Sequence, residues 1–325
     1  MNNKDISVIM CTYNGARYIR KQLDSILNQT YPAKEIIIQD DCSTDNTFEI
    51  ISDYASRFPQ IIVIENKYQL GINKNFFSAM EKANGHYIAI SDQDDIWEQD
   101  KLELQINAID NKLLCAGRTT PFSDNGAPIR VDERIPNLSL LRMLYVGCLA
   151  GHTLLFSKDL LSKLPDISLI STIRCYDVIL TMVAASYNSI VYIDKTLVNQ
   201  CKHIDAATYN KPTDNRFTLK NMFRTIFKTF SHYRELKPEI QKRAIITHQF
   251  LSQIVSKEAI LKDALCMLNA QAQHSVLWFI KLSIFCYKHQ EQLFHTRTKK
   301  NLLNSLRALY FPIFCSTYFR HLSKK

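Results

Sequence analysis

Glycine is scarce, with seven residues in a chain of 325. None of the seven lies in a GxG, a GK or a GxSxG setting. A dinucleotide turn, a phosphate-binding P-loop and a hydrolase nucleophile elbow each require one of those patterns. The common oxidoreductase, NTPase and hydrolase readings therefore lose their support. The nine cysteines are odd in number and contain no CxxC pair, which argues against a structural zinc site and for reduced, cytosolic thiols. No apolar run reaches the roughly 20 residues of a membrane span; the most apolar late stretch, Ser275 to Tyr287, is broken by Lys281. Met1-Asn2-Asn3-Lys4-Asp5 leads directly into a strand pattern, so no secretory signal is expected.

What is present suits a globular protein: 46% of residues are hydrophobic and 22% are charged, enough for a large core. The net charge of +9 is unevenly placed. Residues 1–216 hold 22 Lys/Arg against 26 Asp/Glu, whereas residues 217–325 hold 18 against 5. A basic tail suits an anionic partner, and an acidic front half suits an anionic ligand only through a cation.

The first 110 residues alternate apolar runs with helical periodicity. Strand patterns cover Ile6–Cys11, Glu35–Gln39, Ile61–Ile64 and His86–Ile90. Helical patterns cover Ala16–Gln29, Asn46–Arg57, Asn73–Ala83 and Lys101–Ile109, with Thr44 or Asp45 able to cap the second. Near-continuous apolar strands separated by helices predict a mostly parallel sheet covered on both faces, an α/β fold. Such sheets bind ligands at the carboxyl ends of their strands. Residues 117–170 are punctuated by Pro121, Pro128, Pro136 and Pro165 and read as irregular. A helix over Tyr176–Ser186 and a strand over Ile190–Ile193 follow, and the chain is helical from Phe217. A boundary is expected within 211–216, giving a domain of residues 1–216 and an extension of 217–325.

Acids follow two of the strands, in Asp40-Asp41-Cys42-Ser43-Thr44-Asp45 and in Ser91-Asp92-Gln93-Asp94-Asp95-Ile96-Trp97. Three carboxylates within four residues repel one another unless a cation neutralises them. Asp92 and Asp94, two apart, would face the same way in an extended segment. Hard oxygen ligands of this kind suit Mg²⁺ or Mn²⁺ on a diphosphate; a solvated acidic turn is the alternative.

Five segments in order resemble the family 2 glycosyltransferases: Ser7 to Gly15, Leu27-Asn28-Gln29-Thr30-Tyr31-Pro32, Asp40 to Asp45, Gly71-Ile72-Asn73-Lys74-Asn75 and Asp92 to Trp97. The resemblance covers about residues 5–110 and extends more weakly to about 205. It implies the GT-A fold, a nucleotide-sugar donor, a divalent metal (Mg²⁺ or Mn²⁺) and inversion at the anomeric carbon. Residue by residue, it places Thr12, Tyr13, Asn14, Asp40, Asp41, Asn73 and Asp92 at the nucleotide-sugar. It places Asp94, Asp92 and His203 at the metal. Asp177 becomes the base for the acceptor hydroxyl, with Tyr176 where relatives carry a first acid, and His152 lies in a segment like the acceptor-side loop. The Ser91–Trp97 run most resembles the rhamnosyltransferase-like branch of bacterial surface polysaccharide synthesis. A hexosyltransferase moving L-rhamnose from dTDP-L-rhamnose onto a glycolipid or polysaccharide in lipopolysaccharide, O-antigen or capsule synthesis is thus expected. A UDP-sugar is the alternative donor.

The extension carries aromatic residues beside basic ones: Ile226, Phe227, Phe230 and Tyr233; Val276 to Ile280; Ala308 to Phe314. Basic amphipathic helices of this kind bind anionic membrane surfaces, which suits a lipid-linked acceptor and a peripheral place on the cytoplasmic face of the membrane. The alternative is a helical bundle with those aromatics as its core. No nucleic-acid motif accompanies the charge, so no nucleic-acid partner is expected. Two other classes compete: a non-catalytic nucleotide-sugar- or lipid-binding relative, and a nucleotidyltransferase, which usually needs a Gly-rich loop.

Overall fold

The structure is a computed structural model. It describes residues 4–124, 133–144, 149–203, 233–273 and 277–294, together with single residues 126, 129, 131, 227, 305, 308 and 309. Eight strands form one mixed sheet. In chain order these are β1 (Ile6–Thr12), β2 (Glu35–Asp40), β3 (Ile61–Glu65), β4 (Tyr87–Ser91), β5 (Ile96–Trp97), β6 (Leu114–Ser123), β7 (Leu155–Ser157) and β8 (Ile190–Lys202). Their spatial order is β3-β2-β1-β4-β7-β6-β8-β5. The first four in that order are mutually parallel, β7 runs antiparallel to both neighbours, and β6 and β8 pair parallel.

The parallel half is apolar throughout because both faces are covered. Ile6, Val8 and Met10 of β1 pack with Ile36 and Ile38 of β2. They meet α1 (Ile19–Leu27), α2 (Thr47–Arg57) and α4 (Lys101–Ala108). Ile9, Ile37, Ile88 and Ile90 face the other way. They lie under α3 (Ile72–Glu81), α5 (Leu140–Met143) and α7 (Tyr176–Ser186). A short α6 spans Asp159–Ser162. The alternation of fully buried positions along β1 is the period-2 geometry of a strand between two layers.

The 117–170 region is more regular than its prolines suggest. β6 runs through Pro121, which pairs with Gln200 of β8. Its other neighbour, β7, reaches only Leu114 and Cys115, so β6 is paired on one side at Pro121, an edge-like position that tolerates proline. The expected Ile190–Ile193 strand continues to Lys202, past a register shift at Gly117–Thr119 of β6. Such a bulge breaks strict alternation, and exposed Asp194 and Lys195 hide the continuation.

The boundary expected at 211–216 lies outside the described residues. Beyond it come α8 (Tyr233–Ser252), α9 (Ala259–Gln273), α10 (Trp278–Lys288) and α11 (Gln290–Leu293). Ile240, Ala244 and Leu251 of α8, Met267 of α9 and Leu282 and Cys286 of α10 join the same apolar cluster as α3 and α7. Trp278 and Phe285 pack against that core, whereas Ile280, Ile284 and Tyr287 are exposed. The helical-bundle reading thus holds for Trp278 and Phe285 of α10. Ile226, Phe230, Val276 and Tyr310 to Phe314 lie outside the described residues. Among the described residues, no helix is long and apolar enough to cross a membrane.

Candidate active site at the carboxyl end of the sheet

The carboxyl ends of β1, β2 and β4 converge, as the parallel order requires. At β1 the Thr12 hydroxyl donates to Asp40 Oδ1 at 2.7 Å. The Ser43 hydroxyl donates to the same oxygen at 2.6 Å, and the Ser43 N–H donates to Asp40 Oδ2 at 2.8 Å. Asp40 thus holds the turn between β1 and the Ser43 loop. Asn14, at φ 50°, accepts from the Thr44 N–H through its side chain at 2.8 Å. Tyr13 is 46% exposed at the mouth. Its backbone is clamped by both ends of the Gln93 amide at 3.0 Å each. Gly15 permits that clamp, since a Cβ there would lie 2.3 Å from Gln93 Oε1.

Asp41 is 7% exposed and accepts from Asn66 Nδ2 at 2.8 Å and from the N–H groups of Leu70 at 2.7 Å and Gly71 at 2.9 Å. A carboxylate offers about four lone-pair sites, so Asp41 retains one for a ligand donor. Asn66 escaped the sequence reading, because nothing in its local pattern distinguishes it. Asn73 departs from its expected place at the nucleotide. Its Nδ2 donates to the carbonyls of Ser171 and Arg174, both at 2.8 Å, and its Oδ1 accepts from the Tyr176 N–H at 2.8 Å. The amide is committed to the start of α7.

The acidic loop between β4 and β5 bends instead of extending. Asp92 and Asp94 consequently meet different partners, contrary to the expected common face. Asp94 Oδ2 lies 2.8 Å from His203 Nε2. Asp92 Oδ2 and Asp95 Oδ2 each lie 3.2 Å from His152 Nδ1, with the hydrogen bond running to Asp92. His152 Nε2 meets the Thr119 hydroxyl at 3.0 Å. His152 is 2% exposed, which removes it from direct contact with an acceptor and makes it a support under the acids. Asp95, to which the resemblance assigns no role, is buried and central. Its Oδ1 accepts from the Cys201 N–H at 3.0 Å, and its Oδ2 has no hydrogen bond. The i,i+3 spacing of Asp92 and Asp95 was the available signal. Trp97 is buried at the end of the loop, with Lys101 Nζ 3.8 Å from its ring centroid.

Burial raises the Asp94 carboxyl, with Asp92 adding to it and His203 opposing. Burial pushes Asp95 to about 7, against the opposing pull of His152. Burial alone would lower His152, but Asp95 and Asp92 outweigh it and raise it. The site therefore concentrates more negative charge than its imidazoles balance. That excess, the orphaned Asp95 Oδ2 and the buried, unbonded Nδ1 of His203 make a carboxylate–imidazole set that fits a divalent cation. Ligand atoms of Asp92, Asp95 and His152 lie within 4.8 Å of one another, and Asp94 with His203 forms a second convergent pair. Tyr18 stacks on His203 at 4.7 Å and fixes the imidazole.

Asp177 opens α7, and its Oδ1 accepts from the Val178 N–H at 2.8 Å. Burial raises its carboxyl to about 6, and Asp92 adds to the shift. Tyr176 beside it is 5% exposed and stacks on Phe76 at 4.0 Å. Gly151 leaves room for it, since a Cβ there would lie 2.4 Å from the Tyr176 hydroxyl oxygen. The first acid of the family pattern is thus replaced by a packing residue, and Asp177 stands alone as the acid at this helix start.

The chain is 44% identical over 107 residues to dTDP-rhamnosyl transferase RfbG of Shigella flexneri, covering 31% of this chain and 36% of RfbG. It is 32% identical over 154 residues to UDP-Glc:alpha-D-GlcNAc-diphosphoundecaprenol beta-1,3-glucosyltransferase WfgD of Escherichia coli, covering 46% of this chain and 60% of WfgD. The matched segments thus span between about a third and three fifths of these relatives. The crystal structure of residues 1–349 of S. aureus TarS in complex with UDP-GlcNAc superposes with a TM-score of 0.55 at 18% identity, covering 98% of this chain and 90% of that one. That likeness confirms the GT-A fold. Residues 7–164 match the sequence model of the family named Glycosyl transferase family 2. With β1 to β4 and the acidic loop inside that match, residues 7–164 are similar to family 2 of the glycosyltransferases.

Proposed function

We propose that this protein is an inverting, metal-dependent glycosyltransferase of bacterial surface polysaccharide synthesis, moving a hexose from a nucleotide-sugar to a lipid-linked saccharide. The observation that carries the reading is the placement of two chemistries at one sheet end. A cation-hungry acid cluster follows β4, and a separate half-buried carboxyl, Asp177, has its pKa drawn up to about 6.

In this reading Thr12, Tyr13 and Asn14 hold the nucleoside, with Asp40 shaping their loop. The free lone pair of Asp41 accepts the pyrimidine N3–H. Asp94 and His203 would hold Mg²⁺ or Mn²⁺, with Asp92 beside them toward the ribose or the metal and Asp95–His152 supporting from beneath. The metal, when bound, supplies charge stabilisation to the departing diphosphate. Asp177 takes the proton of the acceptor hydroxyl as that oxygen bonds to the anomeric carbon. The bond from that carbon to the diphosphate oxygen breaks on the opposite face, and the configuration inverts. A base near pKa 6 is deprotonated at neutral pH yet still basic enough to accept the proton.

RfbG is named a dTDP-rhamnosyl transferase, which supports dTDP-L-rhamnose as donor. WfgD and the TarS complex carry UDP-sugars in their names, which keeps a UDP-sugar as the second reading. The diphosphoundecaprenol in WfgD's name supports a lipid-linked acceptor. The basic charge of residues 217–325 supports peripheral docking on the cytoplasmic membrane face. The test is a transfer assay with dTDP-L-rhamnose, UDP-glucose and UDP-GlcNAc, using detergent-solubilised undecaprenyl-diphosphate saccharides and either metal. One donor should give a glycosylated lipid. Failure of all three donors to bind would overturn the reading.

A further inference from the structure

The Asn73 amide lies between two parts of the active site that are distant in sequence. On one side, Asp41 fixes the N–H groups of Leu70 and Gly71 at 2.7 and 2.9 Å. Gly71 caps α3 at φ 75°, a conformation that glycine adopts readily, and Asn73 sits in the first turn that follows. On the other side, Asn73 holds three backbone groups of the segment entering α7: the carbonyls of Ser171 and Arg174 and the N–H of Tyr176. Asp177 is the next residue.

The first N–H groups of a helix have no partner within it. At Tyr176 the missing partner comes from another helix, so the position of the α7 start is set by α3. The Cys175 side chain makes no cap hydrogen bond. The same entry segment is held from a third side, where Arg243 of α8 donates to the Ile173 carbonyl at 3.2 Å.

We propose that Asn73 is a positioning residue that ties the nucleoside-binding carboxylate Asp41 to the base Asp177, so that ordering of the 66–73 loop by the nucleotide also fixes the start of α7. This rests on the proposed function for the roles of Asp41 and Asp177. Asn73 touches no substrate; it acts through the helix start. A displacement of about 1 Å at a reacting group costs about a hundredfold in rate, so the tie matters for turnover more than for donor affinity.

The test is amide hydrogen exchange of the full chain with and without UDP or dTDP and Mn²⁺, in wild type and Asn73→Ala, alongside steady-state kinetics. Nucleotide should slow exchange over 66–73 in both proteins and over 171–178 in wild type alone. In Asn73→Ala, kcat should fall about 10- to 100-fold while the donor Kd stays within about threefold. Should Asn73→Ala not fold, Asn73→Asp keeps the acceptor for the Tyr176 N–H and loses both donors. It should lose nucleotide-dependent protection over 171–174 and retain it over 176–178. Equal protection of 171–178 in wild type and Asn73→Ala, or none in wild type, would overturn the tie. Absence of any nucleotide binding to wild type would instead overturn the donor-site reading, and this proposal with it.

Discussion

At the scale of single residues, the site separates its carboxylates by environment. Asp40 and Asp41 are saturated or nearly so by donors, whereas Asp95 is buried with an unbonded oxygen and Asp177 has one backbone donor. Asp177 must be ionised to act as base. With its carboxyl at about 6, kcat/KM should climb about tenfold per pH unit up to pH ~6 and level above it. A pH–rate profile checks this, and a limb near pH 4 would mean an unshifted carboxylate. Asp177→Asn should lower kcat by about 10²–10⁴ with donor affinity retained by calorimetry. At Gly151, an added Cβ would strike the Tyr176 hydroxyl at 2.4 Å. Gly151→Ala should cost about 1–3 kcal/mol, and Tyr176→Phe should recover part of it, a non-additivity visible in chemical denaturation.

At the scale of elements, α4 begins with a fully buried cation. Lys101 is wholly enclosed, donates to Gln105 Oε1 at 2.8 Å and lies over the Trp97 ring. Burial lowers its ammonium to about 7, against roughly 10.4 in an unfolded chain. Between those values the unfolded state holds one more proton, so stability rises with pH through this window and is flat below it. The contribution to the slope is up to about 1.4 kcal/mol per pH unit. Lys101→Met should abolish that slope and be the more stable protein at pH 7; an unchanged slope in urea unfolding between pH 7.5 and 9.5 would contradict the assignment. The elements themselves were largely legible. The strands of the parallel half are uninterrupted apolar runs, and α7 spans the residues its periodicity predicts. What escaped was what long-range packing decides. The bend at Asp92–Asp95 depends on His152, some sixty residues away, and the full length of β8 depends on its pairing across a bulge in β6. Asn73 reads as a loop residue beside a ligand, and only the return of the chain at Ser171–Tyr176 gives its amide partners.

At the scale of the molecule, the acidic sheet end and the C-terminal helices are physically joined. Side chains of α8, α9 and α10 complete the apolar layer over α3 and α7. Heat should therefore unfold the described body in one transition, and calorimetry should find no separate early loss of residues 233–294. The most direct measurement is nucleotide release from the donor that binds, with Mn²⁺, Mg²⁺ or chelator, in wild type, Asp94→Ala and Asp177→Asn. The expected result is release that requires metal, is lost in Asp94→Ala, and is lost in Asp177→Asn while that variant still binds donor. Release at the wild-type rate by Asp177→Asn, or undiminished release in chelator, would contradict it.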